Sequence, residues 1–324
     1  MWYSAHMDTI IYIIGPTASG KTSLAVDIAR SFSGDLLSAD SIQAYAQLDI
    51  ISGKDLDQDS DFVEIEKIDN CRIGYHTIGG IRTYLLDIVS PTYSFQVSDF
   101  YKCATRCIDI IREGKRIPIV VGGTTLYIKS LLYSIGSLPI PPNLALRDDL
   151  GKKSLEEVKN VLRNKSLTTY SRLNESELGN KRRLIRKIEI EIGTDTKPDS
   201  YISNIVQKPV LIGLYCERQE LRKRIDFRVD QRINEGAFEE VEKLFVKYPL
   251  LSPQVKTANG YKQLFGFFRD EYSKDEAIQR WKYSEYRHAK NQMTYFKKYL
   301  QAEWFDISET NFKEKVFNFV KEAI

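Results

Sequence analysis

The sequence predicts an α/β fold: a P-loop NTPase-like parallel sheet with helices on both faces and an inserted helical domain. Three observations carry this. A β-branched run at Thr9 to Ile14 (TIIYII) turns through a glycine into a stretch with apolar residues at helical spacing, Lys21 to Phe32. Strand-like and helix-like segments then alternate, the signature of a parallel sheet covered on both sides. The alternation breaks into a polar helical stretch and resumes at Pro209 to Cys216 (PVLIGLYC), a buried-strand signature.

In chain order, Asp35 to Ser38 reads as the second strand. Phe62 to Tyr84 alternates around Gly74, Gly79 and Gly80 as an added β-hairpin. Tyr84 to Ile88 reads as a strand, Ser98 to Arg112 as a helix, Ile117 to Val121 as a buried strand and Leu126 to Ile135 as a helix. At Leu138 to Pro142, LPIPP halts regular structure, and helical polar sequence follows to about Gly193. After the returning strand, one long helix is expected over Glu217 to Lys247 and another over Ser273 to Leu300. A terminal strand, Glu303 to Ile307, and an amphipathic helix close the chain. The implied organisation is a catalytic core from residues 8–137 and 209–324 around an insertion at 138–208.

A chain of 324 residues with 42% hydrophobic composition can bury a sizeable core. Lys and Arg total 47 against 44 acids, and a net charge of +3 points to nucleic acid only where basic residues cluster. The four cysteines contain no CxxC pair, which argues against a disulfide framework and for a reducing cytoplasm. No apolar run reaches the length of a membrane span, and Met1 to Met7 has neither the basic start nor the apolar stretch of a signal peptide.

The strongest local signal is Gly15-Pro16-Thr17-Ala18-Ser19-Gly20-Lys21-Thr22, which matches GxxxxGK[ST] between a strand and a helix. Its glycines let successive backbone N–H groups curl around an anion, and the helix N-terminus adds partial positive charge. Lys21 is expected on the phosphates and Thr22 on Mg2+. Such a loop binds diphosphate without specifying ATP. ATP-hydrolysing relatives usually end a later strand in a metal-binding acid. Here Ile117 to Val121 runs into Gly122-Gly123-Thr124, with Asp87 a weak substitute, which lowers the case for an ATPase. Strand two leads into SADSIQ at Ser38 to Gln43, so Asp40 belongs at the carboxyl edge of the sheet beside the loop. There it can serve as a general base, cap a helix, or hold Mg2+ through water.

Several separated blocks, in order and over nearly the whole length, resemble the tRNA dimethylallyltransferase (tRNA isopentenyltransferase) family, bacterial type. They are GPTASGKT at Gly15, ADSIQAY at Ala39, LDI followed by SGK at Leu48 to Lys54, LLDIVSP at Leu85, and SDF at Ser98. VGGTTLYIKSLL at Val121, RRLIRKIEI at Arg182, RIDFRV at Arg224, ANGYKQ at Ala258 and AKNQMTYFKK at Ala289 complete the set. The resemblance implies transfer of a dimethylallyl group from dimethylallyl diphosphate to N6 of adenine 37, next to the tRNA anticodon, in tRNAs with adenines at 36 and 37. It implies that the phosphate loop holds the prenyl diphosphate with Mg2+, that Asp40 is the base on the amine, that Arg228 helps bind the diphosphate, and that Thr124 lies near the reacting adenine. It implies tRNA contacts from Asp40, Ser41, Ile42, Gln43 and Thr124, from Arg182, Arg183 and Arg186, and from Lys256, Gly260, Tyr261 and Lys262. The anticodon stem-loop and the prenyl donor are the expected partners, with no membrane and no obligate protein partner.

By spacing, Arg183, Arg186 and Lys187 share one helical face, thickened by Lys181 and Arg182; such a stripe neutralises phosphates or is a solvated face. An ordinary surface charge is the other reading of Arg228. The sequence departs from the family pattern at Thr83-Tyr84, where a His pair is common, at Asn291 in place of an Arg, and at Tyr295 in place of a Trp. The hairpin is longer than usual, and no C-terminal Cys/His zinc module is present. Adenylate prenylation of the cytokinin type, a small-molecule kinase and a noncatalytic RNA-binding NTPase are the competing readings.

Overall fold

The computed structural model describes residues 8–133, 140, 142–193, 205 and 207–324. Among these, eight strands form one sheet in the order β3-β4-β5-β2-β6-β1-β7-β8. The strands are β1 (Thr9–Ile14), β2 (Gly34–Ser38), β3 (Val63–Ile68), β4 (Cys71–Ile78), β5 (Ile81–Tyr84), β6 (Ile117–Gly122), β7 (Lys208–Tyr215) and β8 (Glu303–Asp306). From β5 to β8 every pairing is parallel, while β3–β4 and β4–β5 are antiparallel.

Both β1 and β6 are buried along their whole length, which is why they read as continuous apolar runs rather than alternating ones. Ile11 and Ile13, Leu36, and Ile117, Ile119 and Val121 turn to one face, where Leu24, Ala25, Ile28 and Ala29 of α1 (Lys21–Ser31) cover them. Val316 and Val320 of the final helix, Phe312–Ala323, extend the same core over β7 and β8. Leu37 and Val120 alternate to the other face. There α2 (Val97–Glu113) packs, its entry fixed by Asp99 accepting the Gln96 N–H at 2.8 Å. Phe100 of α2 stacks on Tyr127 of α3 (Thr125–Leu132), ring centroids 3.9 Å apart.

Residues 133–204 make up a second compact unit, apart from the sheet-containing one. In that unit α4 (Leu144–Lys152), α5 (Leu155–Lys165), α6 (Leu167–Ser171), α7 (Glu175–Leu178) and α8 (Lys181–Gly193) enclose a small core. It comprises Leu150, Val158, Leu162, Leu184, Ile185 and Ile188. A buried acid holds it together as well. Glu189 accepts both Nε and Nη2 of Arg147, at 2.6 and 2.8 Å, the Arg186 Nη1 at 3.0 Å and the Asn143 backbone N–H at 3.0 Å. The LPIPP break falls partly on residues outside those described.

Three expectations change, and two elements are new. The strand expected at Tyr84 to Ile88 ends at Tyr84, because Leu85 and Asp87 take positive φ (68° and 55°) and lead the chain off the sheet. The hairpin is a three-strand meander whose last member, β5, is itself the parallel partner of β2. The helix expected over Glu217 to Lys247 is two: α9 (Arg218–Asn234) and α10 (Ala237–Lys247), broken where Gly236 takes φ 104°. Two short helices were not legible, α11 (Pro253–Thr257) and α12 (Tyr261–Phe268); neither is long enough to display a period. The long helix α13 (Lys274–Tyr299) runs as expected.

Candidate active site

A cleft of about 390 Å³ opens at the carboxyl ends of β1, β2 and β6. Its floor is the phosphate loop. Gly15 is glycine because the loop runs against β7: a Cβ there would stand 2.7 Å from the Leu214 carbonyl, at a φ of 152°. Gly20 takes φ 78° and caps α1 without a side-chain bond, which leaves the first-turn N–H groups available to an anion. Ser19 Oγ and Lys21 Nζ both donate to the Pro16 carbonyl, at 2.9 and 2.6 Å. Burial, and next the charge of Arg228, lower the Lys21 pKa from 10.5 to about 7, Asp40 acting in the opposite sense. Thr17, expected in the cradle, lines the cleft and gives its N–H at 3.0 Å to Oε1 of Gln292 on α13.

The facing wall is built by the ends of β2 and β6. The Ala39 N–H donates to Val121 O at 2.8 Å, and the Thr124 N–H returns to Ala39 O at 3.1 Å. Thr124 Oγ1 accepts the Ser41 N–H at 3.0 Å, and Asp40 Oδ1 accepts the Ile42 N–H at 2.9 Å. Asp40 and Thr124 thus sit in one hydrogen-bonded turn, both half-buried and lining the cleft. The approach requires Gly122 and Gly123. A Cβ on Gly122 would lie 2.4 Å from Ala39 O, and one on Gly123 would lie 2.1 Å from Gln292 Nε2, which donates to Gly123 O at 3.0 Å.

A second layer holds this wall. Gln43, expected at tRNA, spends its amide internally, accepting from Ser38 Oγ at 2.6 Å and donating to Gly53 O at 2.9 Å. Lys54, 1% exposed, donates to Tyr45 O at 2.8 Å, to Asp49 Oδ1 at 2.6 Å and to Asp87. The other Asp87 oxygen stands 2.9 Å from His76 Nε2 of β4. Burial pushes the Asp87 carboxyl up, but His76 and Lys54 more than offset it and hold it below its ordinary range. Paired with Lys54 and turned toward His76, Asp87 does not line the cleft, so it is poorly placed as a substitute metal ligand. The turn carrying Ser52 to Lys54 hangs from buried Glu240, which accepts the N–H groups of Asp49 and Ile50, each at 2.7 Å, and of Ile51 at 3.2 Å. Glu240 also accepts the Tyr261 hydroxyl at 2.7 Å.

Arg228 reaches the cleft from α9, its nearest carboxylate being Asp55 at 3.9 Å. One turn later Arg232 reaches it too. Among the expected tRNA contacts, Lys256 and Lys262 are exposed, whereas Gly260 and Tyr261 are buried. Gly260 is needed because a Cβ there would meet Ile51 at 2.5 Å and Trp281 at 2.8 Å. These two residues therefore position the segment rather than face solvent. In the helical unit Arg182 and Arg183 are exposed, but Arg186 is held by Glu189 and by the Ile140 carbonyl at 2.8 Å. Gln292, Arg232, Lys54 and Glu240 were not picked out in the sequence as site residues. Lys54 lay in the SGK block and Gln292 in AKNQMTYFKK; nothing in the pattern marked Arg232 or Glu240.

Among the described residues no group of three His, Cys, Asp or Glu side chains can hold a metal ion by itself. The cleft offers the Thr22 hydroxyl and the Asp40 carboxylate. That set suits a Mg2+ carried mainly by ligand phosphates and water.

The family model described as IPP transferase matches residues 43–299, and that described as isopentenyl transferase matches residues 8–74. The chain is 33% identical to the tRNA dimethylallyltransferase of Halothermothrix orenii, over 97% of this chain and 92% of the relative. It superposes on the crystal structure of a tRNA isopentenylpyrophosphate transferase from Bacillus halodurans with a TM-score of 0.66 and 29% identity, covering 98% of this chain and 96% of the other. A eukaryotic dimethylallyltransferase acting on tRNA shares the fold, with a TM-score of 0.76 at 22% identity over 97% of this chain and 80% of that one.

Proposed function

Since the chain belongs to the IPP transferase family, we propose that it transfers the dimethylallyl group of dimethylallyl diphosphate to N6 of the adenine at position 37 of tRNA, releasing diphosphate. The observation that supports this most directly is the union, in one cleft, of an anion cradle with Lys21 and Arg228 and a half-buried carboxylate, Asp40, that makes no salt bridge among the described residues. ATP-hydrolysing relatives usually carry a metal-binding acid at the β6 end. Close packing against Ala39 and Gln292 leaves room there only for glycine.

In the proposed reaction the N6 lone pair forms a bond to C1 of the allyl group as the C1–O bond breaks. The electron pair leaves with diphosphate, and the N6 proton passes to an Asp40 oxygen. Lys21, Arg228 and the N-terminal N–H groups of α1 act most strongly on the charge that grows on the leaving oxygen, which lowers the barrier rather than merely tightening binding. Thr22 would hold Mg2+, which supplies further charge neutralisation at the diphosphate. The base must leave the anticodon-loop stack to reach such a cleft. Ser41 and Ile42 at its rim, and exposed Lys256, Lys262, Arg182 and Arg183, are the proposed tRNA contacts.

A side-by-side transfer assay with labelled dimethylallyl diphosphate tests the proposal. An anticodon stem-loop with adenines at 36 and 37 is expected to be labelled, and AMP or ATP is not. Stem-loop binding orients the amine, so a free nucleotide loses rate as well as affinity. Comparable transfer to AMP would move the chain to the cytokinin-type reaction, and sustained phosphate release from ATP would move it to the kinases or NTPases.

A further inference from the structure

Arg232 is 7% exposed, lines the cleft, and has no carboxylate within salt-bridge distance among the described residues. An arginine taken out of water without a fixed partner is costly, and proteins seldom tolerate one idly. Its surroundings show where it is aimed. A Cβ built on Gly53 would lie 2.4 Å from Nη2 of Arg232 and 2.4 Å from Nη2 of Arg228, so the two guanidinium groups pack side by side against Gly53 from successive turns of α9. Only glycine permits that approach, at a φ of 63° that itself favours it. The carboxylates in reach are only loosely engaged. Glu285 accepts Trp281 Nε1 at 3.2 Å, and Asp55 stands 3.9 Å from Arg228. Two like charges gathered this way, with Lys21 lining the same cleft, suit a multiply charged anion.

We propose that Arg232 is a second guanidinium of the donor site, closing with Arg228 on the phosphate that lies away from the phosphate loop. The assignment deepens the diphosphate reading above and rests on it. The loop and Lys21 take one phosphate, the arginine pair takes the other, and the leaving group is held at both ends. Burial, and next the neighbouring charge of Arg228, lower the Arg232 pKa to about 10, so it stays protonated at neutral pH and gains most when the anion arrives.

The test is calorimetric binding of inorganic diphosphate, with Mg2+, to the whole protein. Arg232→Gln is expected to bind at least about tenfold more weakly and Arg232→Lys to recover part of the loss, as for a charge-assisted contact. Without ligand, Arg232→Gln should melt at the same temperature as the parent or higher, because an unpaired buried charge has gone. Diphosphate should then raise its Tm less. Equal diphosphate affinity in Arg232→Gln, or a lower ligand-free Tm with an undiminished diphosphate shift, would overturn the assignment and make the residue structural. A parent protein that does not bind diphosphate at all would instead overturn the reading beneath it.

Discussion

Thr17 of the phosphate loop donates its backbone N–H at 3.0 Å to the side chain of Gln292, which lies 275 residues further along the chain. Through its other amide atom Gln292 holds Gly123 O at 3.0 Å, so one buried side chain sets the spacing between the diphosphate cradle and the wall that carries Thr124.

Replacing Gln292 therefore couples stability to donor use. Gln292→Leu abandons two buried hydrogen bonds and should cost about 2–4 kcal/mol in urea unfolding, with a raised KM for the prenyl donor. Gln292→Glu is no milder, since its second oxygen would face the Gly123 carbonyl. Wild-type KM in both variants would show that the loop keeps its place without the brace.

Asp40→Asn retains the shape of the turn and its Ile42 contact but removes the proton acceptor. Turnover is expected to fall by about 10²–10⁴, with tRNA affinity nearly intact. Single-turnover measurements with both substrates saturating decide it, and near-normal chemistry would remove Asp40 from the mechanism.

Lys21 predicts a proton signature. Its pKa of about 7 in the ligand-free protein lies below its ordinary 10.5, so between those values the unfolded chain binds more protons and the contribution of Lys21 to stability rises with pH. Diphosphate binding restores the charge. At pH 8, calorimetry in two buffers of different ionisation enthalpy should show an uptake approaching about one proton per site, over and above that of Lys21→Met. Equal uptake by the two proteins would mean that Lys21 is already charged.

Most of the sheet was legible because β1 and β6 are buried on both faces, β7 is buried over most of its later half, and their runs are short, apolar and followed by glycine or a helical period. The cradle and Asp40 were legible for a related reason, since backbone geometry demands particular residues in a local order. What remained hidden depends on contacts distant in sequence. Tyr261 stood in a basic block, yet its ring is in the core and its hydroxyl is on Glu240. Arg186 shared a helical face with Arg183 by spacing, but the buried Glu189 claimed it. Nothing within a window of twenty residues says that Gly123 is small for the sake of Gln292.

Glu240 offers a stability test of the same kind. It satisfies three consecutive backbone N–H groups and a tyrosine hydroxyl, and Glu240→Ala would leave all four buried or half-buried donors without their acceptor. A loss of about 3–5 kcal/mol is expected, and proteolysis near residues 48–54 should accelerate as the turn loosens. A shift within about 0.5 kcal/mol would show that water replaces the carboxylate.

The basic face of α8 separates two roles that its spacing alone merges. Arg182 and Arg183 are exposed, while Arg186 Nη1 is 3.0 Å from a carboxylate whose side chain is 1% exposed. If the helical unit grips tRNA phosphates, each exposed arginine lost should reduce counterion release by about 0.9 in the slope of log K against log salt. The Arg182→Ala, Arg183→Ala double variant should accordingly bind tRNA more weakly at low salt, flatten that slope, and keep its Tm and diphosphate affinity. Arg186→Ala should instead destabilise the unit by about 2 kcal/mol, because Glu189 keeps Arg147 but loses a charge-assisted bond in a dry setting. Salt-dependent binding and thermal melting of the two variants separate the roles. An unchanged salt slope in the double variant would make Arg182 and Arg183 a solvated face and place the phosphate contacts on Lys256 and Lys262 of the core.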